Sequence, residues 1–352
     1  MKNRRQIHPI FLFLFSLFTL GIPHLHSDLF VNETPVTIIQ GPQSSLNRPE
    51  GASFSPSGNC LVIANSSGCS LTFYKRIGDS GGKYEIAPSF VIKDSKLLNY
   101  AHDVAFSPCG QYVVAACRES NTLACYKRKK GSEIAFIRRP HWLIEGFHKA
   151  KLHKPTSIAF SPCGQIIAVA NRMGNYSTNF YAQIPGGDFQ FDPVPFQTIT
   201  AEELAKHNVS ASHGLAFTPD GNHLATMHKS WWQTPSGESA FTFADKESLG
   251  DMTCHFSLSN VELYGCTCLH SIAFHPSGKY LAATHESGDV IIFEKVAASN
   301  EYVSMTSISI DKRGKHEGPK GIAFSPCGRY LAVTTVANFV LIYEVEEIEA
   351  KS

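Results

Sequence analysis

Short apolar strands and polar turns alternate along the whole chain in a repeated order. A representative unit contains IAFSPCG at residues 158–164, where an apolar strand ends and a Pro–Gly turn leads into the next strand. Pro presets the second turn position and Gly accepts a left-handed backbone, so each copy predicts a hairpin. The Phe that ends the first strand recurs every 50 to 57 residues, at Phe54, Phe106, Phe160, Phe217, Phe274 and Phe324.

Each repeat is long enough for a small sheet of four short strands. Third strands are predicted from runs rich in β-branched and aromatic residues, at 71–76, 123–128, 290–295 and 340–345. Weaker fourth strands follow at 90–93, 142–145 and 196–199. No long segment has helical periodicity, so the sequence predicts an all-β array.

Repeated four-stranded sheets close most easily as a β-propeller, because a ring protects the edges that isolated sheets would expose. The six copies predict six four-stranded blades, and seven are less favoured because no gap between anchors can hold another unit. The last copy supplies only three strands, whereas residues 36–40 form a spare strand before the first copy. We therefore predict that 36–40 complete the last blade of a single propeller domain over 28–352. An extended lead-in is the alternative for this segment.

The repeated motif resembles that of a known superfamily. FSPCGRYLAV at 324–333, followed by LIYEV at 341–345, is similar to WD-repeat and YVTN-repeat propellers, including lactonase-like propellers. The similarity extends over residues 36–345, although the chain has no Trp-Asp dipeptide and its repeats exceed the usual ~40 to 45 residues. The resemblance implies a propeller fold and, by analogy with the lactonase-like members, hydrolysis of a lactone. The calcium-binding shell of gluconolactonase-type propellers has no match here beyond Glu50.

Composition supports one large core and narrows the function classes. Hydrophobic residues make up 43% of the chain and charged residues 17%, and the formal net charge is +1. Nucleic-acid binding would call for a strongly basic face, so it is not predicted. The sequence has no G-x-S-x-G elbow, H-E-x-x-H pair, P-loop or Rossmann fingerprint. Catalytic residues and a cofactor are therefore not predicted, and whether the protein is an enzyme stays open.

Residues 1–27 have the pattern of a signal peptide. Basic residues precede an apolar run at 10–22, which is short for a membrane span of about 20 residues. This pattern predicts export, to the periplasm or outside the cell. The segment before residue 28 is a poor small-x-small cleavage site, so an uncleaved anchor is the alternative and would be the only membrane contact.

The cysteines favour a different compartment. The chain has 10 of them, an even number that fits disulfides. Cys109, Cys163 and Cys327 occupy matching turns of three blades, however, which should hold their Cα atoms beyond the roughly 7 Å limit for a bridge. Cys117 and Cys125 lie on neighbouring strands and could approach each other. Mostly free thiols are expected, which leaves a cytoplasmic location open.

Polar side chains are predicted at one end of the central channel, where propellers usually carry their functional loops. Strand alternation places the residue four before each anchor Phe near the channel mouth. All six of these residues are polar: Glu50, His102, Thr156, His213, His270 and Lys320. They predict a polar collar around the channel.

The second strand of each unit returns to the same end and adds imidazoles and charges. A plain two-residue hairpin would set His213 opposite His228 and His270 opposite His285, whereas a bulged turn would slip the pairing by one. Two adjacent tryptophans follow in a long loop at this end, where they are hard to bury together. The candidate ligand-binding residues are His102, Arg118, Arg172, His213, His228, Lys229, Trp231, Trp232, His270, His285 and Glu286.

Three interpretations of this cluster are open. It can be a hydrated polar rim, in which the histidines bond to backbone and water. It can be a divalent metal site, since imidazole suits zinc, copper and nickel, although no metal is assigned from the sequence. It can be a pocket for an anionic or sugar-like ligand. We expect a monomeric binding module for a protein or a small ligand, with a lactone-hydrolysing enzyme as the alternative.

Overall fold

The computed structural model describes residues 28–78, 81–174, 176–206, 212–228, 239–248, 254–264, 269–285, 288–296, 302–310 and 318–348. The predicted signal segment and four candidate site residues, Lys229, Trp231, Trp232 and Glu286, lie outside these ranges. Within them, no helix combines the length and apolar character needed to cross a membrane.

Two short strands precede the repeats, β1 (Asp28–Val31) and β2 (Thr37–Ile39), and a 3-10 helix (Pro42–Ser44) follows them. The first sheet contains β3 (Pro49–Phe54), β4 (Cys60–Asn65), β5 (Ser70–Lys75) and β6 (Phe90–Lys93). The second contains β7 (Ala101–Phe106), β8 (Tyr112–Cys117), β9 (Thr122–Lys127) and β10 (Trp142–Glu145). The third contains β11 (Pro155–Phe160), β12 (Ile166–Asn171), β13 (Thr178–Ala182) and β14 (Gln197–Ile199), and the helix α1 (Ala201–Lys206) follows it.

The fourth sheet contains β15 (Ser212–Phe217), β16 (His223–His228), β17 (Ser239–Ser248) and β18 (Cys254–Tyr264). The fifth contains β19 (Leu269–Phe274), β20 (Tyr280–His285), β21 (Asp289–Lys295) and β22 (Tyr302–Ser309). The last repeat supplies β23 (Pro319–Phe324), β24 (Tyr330–Thr335) and β25 (Phe339–Ile348). Within each repeat, strands that follow one another in the chain are neighbours in the sheet and pair in antiparallel fashion.

The sheet that closes the ring differs from the prediction. Five of the sheets have four strands each, whereas the closing sheet has five. The prediction of six four-stranded blades is therefore wrong. Its last strand, β25, is ten residues long, and its free edge pairs with two N-terminal segments. Ile39 pairs with Val340 near one end of β25, and Val31 pairs with Val345 nearer the other. The predicted closing strand at 36–40 thus appears as β2, and β1 was not foreseen.

The innermost strands form a closed circle, in which β3, β7, β11, β15, β19 and β23 each contact the next and β23 contacts β3. Hydrophobic clusters fill the space between neighbouring sheets. One cluster joins Phe73 of the first sheet to Phe106 of the second, and another joins Ile39 of the closing sheet to Phe54 of the first. Both faces of each sheet are therefore covered, which makes this a β-propeller.

The predicted hairpin turns lie at the end of the ring opposite the collar. In the first sheet Phe54 pairs with Leu61, and Ser55 Oγ accepts a hydrogen bond from Cys60 N–H (3.0 Å). Gly58 has φ +70°, the left-handed conformation that the motif requires.

The cysteines agree with the expectation of mostly free thiols. Seven cysteines are described with their side chains, and all are free. Cys109, Cys163 and Cys327 are exposed in their turns. Cys117 and Cys125 do not approach as a pair, because their side chains enter core clusters on opposite faces of the second sheet.

Candidate functional site

A β-bulge interrupts every innermost strand where it begins at the channel mouth. In β15 the pairing runs from Gly214↔Met227 to Ser212↔His228, so His213 is the extra residue. Bulges of this kind turn a side chain away from the regular alternation. The same interruption occurs in β3, β7, β11, β15, β19 and β23.

The bulge decides which of the two predicted pairings is formed. At the turn, Phe217↔Leu224 sets a register that would bring His213 opposite His228. The bulge shifts this register by one residue, so His228 faces Ser212 and, in the fifth sheet, His285 faces Leu269. Of the two predicted pairings, the one shifted by one residue is therefore correct. The shift arises from the bulge at the channel mouth and not from the hairpin turn.

The bulged residues form the predicted collar around a narrow cavity of about 10 Å³, which is roughly the room that one water molecule needs. The lining residues come from two consecutive positions of the inner strands: Glu50, Gly51, His102, Asp103, Thr156, Ser157, His213, Gly214, His270, Ser271 and Gly321. The glycines allow the strands to approach closely, since a Cβ on Gly321 would lie 2.0 Å from the Glu50 carbonyl oxygen. The cavity is thus polar, and its walls are largely backbone and short side chains.

Three buried histidines, from the second, fourth and fifth sheets, meet in this cavity. The ring centroids of His213 and His270 lie 4.4 Å apart, and His102 lies 5.3 Å and 5.6 Å from them. Each histidine offers a ring nitrogen within 4.8 Å of the others. Of the described His, Cys, Asp and Glu residues, these are the group whose spacing suits a shared ion.

Hydrogen bonds between sheets fix the orientation of two of these rings. His102 Nδ1–H donates to the Thr156 carbonyl oxygen (2.7 Å), and His213 Nδ1–H donates to the His270 carbonyl oxygen (2.9 Å). Thr156 Oγ1–H in turn donates to the His213 carbonyl oxygen (3.1 Å). Because a carbonyl oxygen only accepts, Nδ1 must carry the hydrogen in both neutral rings. Their Nε2 atoms are therefore lone-pair acceptors.

Charged groups surround the collar on the side of the mouth. The buried Glu50 carboxylate lies 3.4 Å from Arg48 Nε and 3.8 Å from His270 Nε2. Tyr100, just before β7, has the guanidinium groups of Arg118 and Arg48 over its ring, at 4.9 Å and 5.7 Å from the centroid. The aromatic ring thus holds two cations next to the collar.

Burial and these cations keep His102 neutral. Burial and, after it, the positive charges of Arg118, Arg172 and Lys320 lower the pKa of His102 to about 3, against the opposing effect of the Thr156 hydrogen bond. The neighbouring Asp103 has its pKa raised to about 6 by burial. Its carboxylate accepts hydrogen bonds from Ser157 Oγ (2.8 Å) and from the Ile158 (3.0 Å) and Val104 (2.8 Å) N–H groups.

The predicted candidates divide into three groups. His102, His213 and His270 come together, and Arg118 and Arg172 act on His102 electrostatically. His228 and His285 lie one strand further out at the same end and do not line the cavity. Lys229, Trp231, Trp232 and Glu286 fall outside the described residues.

Sequence reasoning missed Asp103, Tyr100 and Arg48. Asp103 did carry a signal, because it is a second polar residue in succession within an inner strand of a buried sheet. Tyr100 and Arg48 carried none, because each lies at a left-handed position just before an inner strand, with φ +57° and +54°. The alternation of side chains along a strand does not extend to positions before the strand begins, so it could not place these two residues.

Comparison with known proteins identifies the fold and no closer relationship. No protein-family model and no curated protein matches the sequence. Among solved structures, hydrazine synthase of Kuenenia stuttgartiensis matches with TM-score 0.54 and 16% identity, over 84% of this chain and 83% of that chain. Putative 6-phosphogluconolactonases of Bacteroides uniformis and Bacteroides fragilis match with TM-score 0.52, at 16% and 18% identity, over 72% of this chain and 69% of theirs. At such identities the likeness establishes a propeller fold and not an activity.

Proposed function

We propose that the protein is a binding module that takes a small anionic or sugar-like ligand at the His-rich end of its central channel. One observation carries the proposal: three buried imidazoles share a polar cavity with cations close enough to act on His102. Ligand sites are typically concave and contain a few convergent polar groups. A protein partner is the less favoured occupant, because a recessed polar cavity offers it little flat apolar surface.

The charges indicate the chemistry of the ligand. Arg118, Arg172 and Lys320 bring positive charge to the collar, and arginine binds carboxylate and phosphate groups in a bidentate manner. The Nε2 atoms of His102 and His213 accept hydrogen bonds, which suits the hydroxyl groups of a ligand. A small hydroxylated acid or a sugar phosphate combines both features.

The size of the cavity limits how much of the ligand enters. Its volume of about 10 Å³ is far below the ~300 to 1,000 Å³ typical of sites for drug-sized ligands, and it holds about one water-sized group. We infer that a single hydroxyl or acid oxygen of the ligand enters the collar, while the rest lies at the mouth near Tyr100.

Calorimetric titration with 6-phosphogluconate, gluconate and inorganic phosphate tests the proposal. We expect saturable binding of at least one of these anions, weakened about 10-fold or more by Arg118→Ala and by Arg172→Ala, which corresponds to about 1.4 kcal/mol. Arg329→Ala is the matched control, because Arg329 follows a turn at the opposite end and pairs with Glu344. Binding that is absent for all three anions, or equally weak in the control, would count against the proposal.

A lactone-hydrolysing enzyme is the second candidate. It is favoured by Asp103, whose pKa of about 6 lies near neutrality in the same cavity as neutral imidazoles. The three hydrogen bonds to its carboxylate are also what a purely structural aspartate would have. The test is the rate at which acid is released from δ-gluconolactone. A rate above that in buffer, and a return to the buffer rate in Asp103→Asn, would show that the protein is an enzyme.

Membership of the WD or YVTN type and export through residues 1–27 remain proposals. The repeated FSPCG turns support the first. The seven free thiols fit a cytoplasmic location as well as an exported one, since disulfides are expected mainly in oxidising compartments.

A further inference from the structure

We propose that His102, His213 and His270 bind one divalent transition-metal ion in the collar, through their Nε2 atoms. Three histidines with a fourth position open to a cavity form a common arrangement for zinc. Imidazole also suits copper and nickel, whereas calcium and magnesium prefer oxygen ligands. The inference does not depend on the proposed anion site, because it concerns the ion alone.

The hydrogen bonds behind the histidines are those of a metal site. A histidine that binds a metal through one nitrogen almost always donates its other N–H to a carbonyl or carboxylate. His102 and His213 donate Nδ1–H to carbonyl oxygens of the next sheet, so their rings are held in the tautomer that a metal requires. One ring nitrogen of each histidine also lies within 4.8 Å of a nitrogen of the other two, which hydrogen bonding to backbone groups does not require.

The distances require a small contraction. The three ring nitrogens lie within 4.8 Å of one another. With Zn–N bonds of about 2.0 to 2.1 Å, a tetrahedral site has its nitrogens about 3.4 Å apart. Side-chain rotations that move the nitrogens by about an ångström bring them to this spacing. The bulges place these histidines outside the regular pairing of the strands.

The charges around the site act in both directions. The buried Glu50 carboxylate lies 3.8 Å from His270 Nε2 and favours a cation, although Arg48 Nε also lies 3.4 Å from it. Arg118, Arg172 and Lys320 oppose a cation and would favour an anion as its fourth ligand. The cavity of about 10 Å³ has room for one water-sized group, which suits a single ion between the three rings.

Metal titration of the chelator-stripped full-length protein tests the inference. We expect one equivalent of Zn²⁺ to bind with a Kd of about 1 µM or below, and Co²⁺ to give the intense visible absorption of a tetrahedral site. His213→Ala and His270→Ala should each weaken Zn²⁺ binding at least 100-fold. His285→Ala is the matched control, since His285 lies at the same end but outside the cavity, and it should leave the affinity unchanged.

Folding is checked by circular dichroism and by the melting temperature without metal, and His213→Asn replaces any alanine variant that does not fold. The inference is wrong if Zn²⁺ binds only at millimolar concentration, if Co²⁺ gives an octahedral spectrum, or if the histidine variants bind as tightly as the control. Titrating 6-phosphogluconate into the metal-free protein separates the two proposals, because anion binding that persists without metal supports the first alone.

Discussion

At the scale of single residues, the turn of the fifth sheet has a histidine at a position where the other sheets have serine or threonine. The residue after each anchor Phe bonds to the side chain two residues later, and it is a hydroxyl residue in five units: Ser55, Ser107, Ser161, Thr218 and Ser325. In the fifth sheet it is His275, whose Nδ1 lies 2.8 Å from Ser277 Oγ and whose Nε2 lies 3.2 Å from the Gly328 carbonyl oxygen. This position therefore carries an imidazole where its five counterparts carry a hydroxyl group.

This histidine predicts a difference in acid sensitivity. Burial lowers the pKa of His275 from its ordinary 6.5, Lys279 lowers it further, and Glu347 and the Gly328 carbonyl oppose the shift. The unfolded chain then binds the proton more readily, so the stability from neutral His275 is present above pH 6.5 and is lost as the pH falls below it. Between pH 7.5 and 5.5 the free energy of unfolding should fall less in His275→Ser than in the wild type, by up to about 1.4 kcal/mol per pH unit. Urea unfolding at both pH values measures this.

The control for that measurement is Ser325→Ala, which changes the matching position of another turn without removing an ionisable group and should leave the pH dependence unchanged. Identical pH dependence in the wild type and His275→Ser would show that His275 does not contribute to it.

At the scale of elements, closure of the ring depends on three residues of β2. Ile39 is fully buried and belongs to the cluster between the closing sheet and the first sheet. Its neighbour Ile38 points the other way and is 36% exposed. The two side chains are the same size and lie on the same strand. Replacing each in turn therefore distinguishes the contribution of side-chain packing from the contribution of strand pairing.

We expect Ile39→Ala to lower the free energy of unfolding by about 2 to 5 kcal/mol, because it leaves a cavity in a closed core. Ile38→Ala should cost less than about 1 kcal/mol, as is usual for partly exposed positions. Chemical unfolding of both variants gives the comparison. Equal losses would mean that β2 stabilises the ring through its backbone pairing alone.

The elements also show what the sequence could predict. Turn chemistry and alternation located the inner strands, and counting strands in the last repeat located β2. β1 was missed because no strand was predicted at residues 28–31, and the free edge of β25 that receives them is a property of the folded sheet. His228 and His285 were placed with the collar while both registers were left open, because a bulge leaves no mark in side-chain polarity. The collar itself was predictable, since six polar residues occupy one position of otherwise apolar strands.

At the scale of the whole molecule, each sheet shares a hydrophobic core with the sheet on either side. The cluster between the first and second sheets contains Cys60 and Cys117, and the cluster between the second and third contains Cys125. A closed ring has no terminal sheet that can separate at low cost. We therefore expect the ring to unfold as one unit and not sheet by sheet.

The thiols test this cooperativity. In the native protein, exposed Cys109, Cys163 and Cys327 should react rapidly with an alkylating reagent, whereas buried Cys60, Cys117 and Cys125 should react only after unfolding. Burial also raises the pKa of the Cys60 thiol to about 12 and that of Cys117 and Cys125 above the ordinary value. Ile39→Ala should accelerate all three buried thiols by one common factor, roughly 10-fold for each 1.4 kcal/mol lost. Mass mapping of the labelled peptides measures the three rates, and acceleration confined to Cys60, in the sheet next to the closure, would show that the blades open separately.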